Sequence, residues 1–156
     1  MKKENIIKIV AIILACLFVY AALSKLEDYH KSVIEMRNQV FPTWIAMILT
    51  WLIPTIELFL VALLIIPITR KMAVWLSLFL LTTFTIYIAI VMTGVFGRIP
   101  CSCGGILENM SYGIHLIFNL FFIVIALLGL GVENRWMNNN RLFNLKKRKD
   151  FLQSSV

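Results

Sequence analysis

The chain has 156 residues, 60% of them hydrophobic and 15% charged, with a mean hydropathy of +0.87. Soluble domains are about 45–50% apolar and about 25% charged, so this composition excludes an ordinary water-soluble domain and leaves room for one lipid-embedded bundle. The net charge of +7 gathers at segment ends and in the tail, where it serves topology; no zinc-finger, basic-zipper or helix-turn-helix spacing accompanies it, and nucleic acid is set aside as a partner.

The first apolar segment covers residues 6–23 and is interrupted only by Lys8, near enough to its end to snorkel. Lys2 and Lys3 ahead of it also fit a signal peptide cleaved near Ala21 or Ala22, and Ala15-Cys16 faintly fits a lipoprotein site. The apolar run continues through Phe18, Val19 and Tyr20, and a retained helix is the reading adopted. Cys16, inside this run, is expected to pack in the core as an ordinary free thiol.

Residues 24–40 follow. Leu26, Tyr29, Val33, Met36 and Val40 recur at three- and four-residue spacing, with charged residues elsewhere around the wheel. This predicts an amphipathic helix lying at the membrane interface, stopped before Pro42.

The second span, residues 43–66, contains one charge, Glu57. A carboxylate at that depth costs several kcal/mol unless it is protonated, paired or beside water. Pro54, one turn earlier, leaves the carbonyl of Thr50 without its helical donor. By helical rise Glu57 lies about 21 Å below the outer end, a depth that Thr82 of the next span shares, so Thr82 is the expected partner. That distance separates Glu57 from the cysteine loop, which makes packing or a buried cofactor contact its expected role.

The third span, residues 72–96, carries no charge; Tyr87 in it is expected to pack in the core or line a cavity. The fourth, residues 113–132, carries only His115 and, one turn on, Asn119, which share a helical face. Spans of about 20 residues cross a bilayer core, so the fold expected is all-α: an integral membrane four-helix bundle with an interfacial helix in its first outer loop.

Orientation follows from the loops. The N-terminus, the connection Pro67-Ile68-Thr69-Arg70-Lys71 and the tail over residues 133–156, with Lys146-Lys147-Arg148-Lys149, are basic. The other two connections balance their charges. The positive-inside rule then puts both termini in the cytoplasm of a cell (inner) membrane and the third connection outside.

That third connection holds the strongest local signal, Pro100-Cys101-Ser102-Cys103-Gly104-Gly105. Two thiols one residue apart close only a cramped ring: their Cα atoms lie within about 7 Å, against the about 4.4–6.8 Å a disulfide needs. A strained, exposed pair is easily reduced and suits thiol exchange. A local structural disulfide and half of a metal site remain the alternatives. Cys101, Cys103 and His115, with Glu108, offer a ligand set, but their spacing matches no standard zinc module, and no metal is assigned. His115 is placed to take the proton as a thiol becomes the reactive thiolate, with interhelical hydrogen bonding as the plainer role for it and for Asn119.

Ser24-Lys25-Leu26 closing the first helix, Pro54-x-x-Glu57-Leu58, Phe84-Thr85-Ile86-Tyr87, the Cys-x-Cys motif and His115-Leu116-Ile117-Phe118-Asn119 stand together in one chain. With these residues the chain resembles the MauE/DoxX group of small four-helix membrane proteins, in particular its methylamine-utilisation MauE branch. The resemblance implies a redox role: forming or transferring disulfides outside the membrane beside a thioredoxin-like partner. Its DoxX side implies an accessory or assembly subunit of a membrane redox complex, with a quinone as the cofactor to expect. The chain is also loosely similar to quinone-linked disulfide generators and vitamin K epoxide reductases. It departs from them in having Cys-x-Cys, not Cys-x-x-Cys, and no second pair in its first outer loop.

Overall fold

The computed structural model describes residues 4–96 and 113–132. Over these the chain is all-α and forms five helices: α1 (Glu4–Glu27), α2 (Tyr29–Arg37), α3 (Thr43–Ile65), α4 (Arg70–Met92) and α5 (Gly113–Val132). All but α2 are long and apolar enough to cross a membrane, which makes the molecule a multi-pass membrane bundle in contact with lipid.

Local chemistry sets the helix ends. The Asp28 carboxylate accepts the Lys31 N–H at 3.1 Å and caps α2. Ser24, Lys25, Leu26 and Glu27 belong to α1, so the short helix is narrower than its apolar periodicity suggested. Pro42, fixed at φ −57°, occupies the cap position of α3 and holds the preceding residue out of helical conformation. At the far end of α3 the Arg70 guanidinium donates to the Leu64 and Ile65 carbonyls at 3.3 and 3.2 Å. It satisfies groups the helix leaves unpaired, at the end where the macrodipole favours a cation. Helix α4 closes at Met92, short of the expected Phe96. Gly94 there adopts φ 72° and donates to the Val91 carbonyl, a left-handed termination open to glycine.

Inside lipid a hydroxyl has no water to bond. Ser77, Thr82, Thr83 and Thr85 of α4 each donate to the carbonyl one turn back at 2.7–2.9 Å. Thr50 does the same to Ala46 at 2.8 Å, one turn before Pro54.

The bundle interior is divided. Toward the end opposite α2, Val10 and Leu14 of α1, Leu60 and Leu64 of α3, Ala73 and Val74 of α4, and Ala126 and Leu130 of α5 form the apolar core. Toward the α2 end the buried residues include Gln39, Thr50, Glu57 and Asn119. The outward faces are largely apolar, with Ile12, Phe59, Phe79 and Phe121 all exposed, as lipid contact requires. Cys16 is among the exposed residues, which corrects the expectation that it packs in the core: Ala11, Leu14 and Phe18 fill the inward face of α1, and Cys16 falls between them on the perimeter.

Candidate functional site

Near the end of α1, Lys25 turns into the bundle. Its ammonium donates to both carboxylate oxygens of Glu57, at 3.0 and 3.2 Å, and to the Ala21 carbonyl at 2.9 Å. Glu57 is 3% exposed, and Pro54, one turn before it on the same face, is also buried. Thr82, the expected partner, bonds its own helix at the Leu78 carbonyl. The pairing with Thr82 is therefore corrected: in lipid a carboxylate gains far more from an ammonium than from a hydroxyl already satisfied by backbone.

This contact reveals how the helices are staggered. By rise alone Glu57 lies about 21 Å into α3, while Lys25 is about 3 Å from the end of α1. Side-chain reach closes only part of that difference, so α1 ends well below the start of α3. The space above it is taken by α2, which packs beside the first half of α3. Tyr29 lies against Trp51 with ring centroids 4.9 Å apart, and Ser32 donates to the Lys25 carbonyl at 2.9 Å. The short helix thus flanks α3 and closes over the ion pair.

Helix α5 brings a third element to the same region. His115 is half-buried in the first turn of α5, and Asn119 is buried one turn further in. Among the described residues no hydrogen bond is found for the His115 ring. An ammonium, a carboxylate, an imidazole and an amide from three helices thus share the interior at the α2 end. Ionisable and polar groups held inside a bilayer have the chemistry to carry a proton or orient a polar group.

Tyr87 has a different task. Its hydroxyl donates to the Gln39 side-chain carbonyl at 2.7 Å, and its ring stacks on Phe41 at 5.2 Å. Gln39, 1% exposed, also donates to the Glu35 carbonyl at 3.4 Å. Tyr87 therefore ties α4 to the segment that leaves α2.

Cys101 and Cys103 lie outside the described residues. What the structure gives is the setting of their connection: α4 ends and α5 begins at the α2 end of the bundle, where His115 stands. No group of three His, Cys, Asp or Glu side chains among the described residues is placed to hold a metal.

Two residues of this region were absent from the candidates read in sequence. Lys25 does leave a signal, as the cation bordering an apolar run in a chain whose only mid-span carboxylate needs a partner, but its place in the chain does not show which span it faces. Gln39 left none.

No curated protein and no solved structure matches the chain. The family model described as methylamine utilisation protein MauE matches residues 3–132, a stretch that takes in Lys25, Glu57, Tyr87, both cysteines of the Cys-x-Cys motif, His115 and Asn119. The multi-pass bundle built around the Lys25–Glu57 pair belongs to the methylamine utilisation protein MauE family.

Proposed function

We propose that the chain is a membrane-embedded thiol–disulfide exchange protein that acts through Cys101 and Cys103 with a thioredoxin-like protein in extracytoplasmic protein maturation. The observation that carries this reading is the position of His115. It stands at the mouth of α5, the helix the Cys-x-Cys connection enters, with its ring free of hydrogen bonds among the described residues. A thiol becomes nucleophilic on losing its proton, and an unengaged imidazole is the group to accept it.

The exchange balances without a third reactant. A thiolate of one protein attacks the disulfide of the other and a mixed disulfide forms. The second thiolate of the attacking pair then displaces it, so one pair ends oxidised, the other reduced, with two electrons and two protons transferred. The basic N-terminus, tail and Arg70-Lys71 connection support placing both termini in the cytoplasm of the inner membrane, with the cysteines outside.

Trapping tests the proposal. One of the two single variants, Cys101→Ser or Cys103→Ser, retains the attacking thiol without its resolving neighbour and is expected to accumulate a mixed disulfide that reductant releases. If neither single variant captures a protein, and the double variant preserves the activity of the associated complex, the exchange role is wrong. The chain is then an accessory subunit whose cysteines only pin a loop.

A further inference from the structure

Between α2 and the first turns of α3 lies an open cleft of about 340 Å³ that takes no part in the thiol chemistry. Its walls are apolar: Val33 from α2 faces Met47 and Trp51 from α3, with buried Thr50 at its floor. The Tyr29–Trp51 ring pair closes one end. Arg37, on the last turn of α2, lines it as well, and His30 two turns earlier shares that wall.

Three observations narrow what this cleft takes. The lining carries a guanidinium and no carboxylate, so its charge complements an anion. Arg37 is exposed and has no ion-pair partner among the described residues, whereas Asp28 is engaged in capping α2 and Lys31 and Glu35 have interactions of their own. The cleft also runs along a membrane-spanning helix. Arg37 lies at its outer reach near the start of α3, and Trp51 about 12 Å further in by helical rise. Trp51 remains 57% exposed and Met47 53% exposed, so the apolar walls are open to lipid chains. A cation above an apolar groove that continues inward along a membrane-spanning helix matches the layout of a phospholipid: phosphate first, acyl chain below.

We infer that the α2–α3 cleft is a binding site for an anionic phospholipid, with the phosphate on Arg37 and an acyl chain along Val33, Met47 and Trp51. The guanidinium holds two phosphate oxygens in a planar fork, and a lipid seated there wedges α2 against α3 above the Lys25–Glu57 pair.

Trp51 is its own reporter. The chain with Trp44→Phe, Trp75→Phe and Trp136→Phe retains Trp51 alone and is reconstituted into phosphatidylcholine nanodiscs doped with a mid-chain-brominated lipid. Brominated phosphatidylglycerol is expected to quench Trp51 at about one-fifth the mole fraction that brominated phosphatidylcholine needs, the increment of one basic residue near an anionic headgroup. Arg37→Gln is expected to erase that preference and Arg37→Lys to keep most of it. Should Arg37→Gln fail to fold, salt replaces it as the probe, since about 1 M salt screens an exposed charge and must bring the two lipids together. Equal quenching by both lipids in the parent, a preference that survives Arg37→Gln or high salt, or quenching by neither because protein fills the cleft, each overturns the site.

Discussion

Lys25 and Glu57 are each costly alone in a membrane and tolerable together. Truncating one member of a buried pair typically costs about 3–5 kcal/mol, whereas replacing both with apolar groups of similar size is often neutral. Lys25 keeps 22% of its side chain accessible, which places the loss near the lower figure. Lys25→Met should therefore lower the unfolding midpoint in detergent, followed by circular dichroism, and the Lys25→Met, Glu57→Leu double variant should recover most of it. Equal destabilisation in the single and double variants would show that Lys25 and Glu57 do not depend on each other. Glu57 was legible in the sequence as a residue needing a partner, because the price of an uncompensated charge is a property of lipid. The partner's identity was not, because it depends on α1 ending lower than α3.

At the scale of elements, two contacts decide how the helices sit. Tyr87 joins α4 to Gln39, and Gly129 of α5 admits Val10 of α1. A Cβ built on Gly129 meets both Val10 methyl carbons at 3.0 Å, so Gly129→Ala crowds Val10, which must give by a few tenths of an ångström, and should cost about 1 kcal/mol. Val10→Ala in the same chain should return much of that loss. Unfolding in mixed micelles titrated with denaturing detergent would measure both, and strictly additive effects would mean the two residues do not touch in the membrane. The glycine was visible in sequence as one small residue among many; its role comes from what the partner helix presents. Helix α2 teaches a similar lesson. Its periodicity was readable, and Met36 is buried as the pattern requires, but Leu26, set on the same face, belongs to α1 and is exposed. Asp28, whose carboxylate caps the new helix, divides the two, and an apolar period does not register such a break.

For the whole molecule, sidedness governs whether the proposed chemistry has access to a partner. In a Cys16→Ser background the two remaining thiols are Cys101 and Cys103. After mild reduction of intact cells, a membrane-impermeant maleimide should label them without permeabilisation. Labelling that appears only after lysis would place the pair in the cytoplasm and end the exchange proposal.

The sequence by itself determined that the chain lives in a bilayer, crosses it four times and carries one carboxylate that must be compensated. Those conclusions follow from hydrophobic length and the cost of charge in hydrocarbon, which need no knowledge of neighbours. Only the tertiary structure decided that Lys25 compensates Glu57, that Gln39 holds Tyr87, that Cys16 faces outward, and that α2 stands beside α3 with an open cleft between them. Each depends on the axial stagger and rotation of one helix against another, and these are set by packing between segments far apart in the chain.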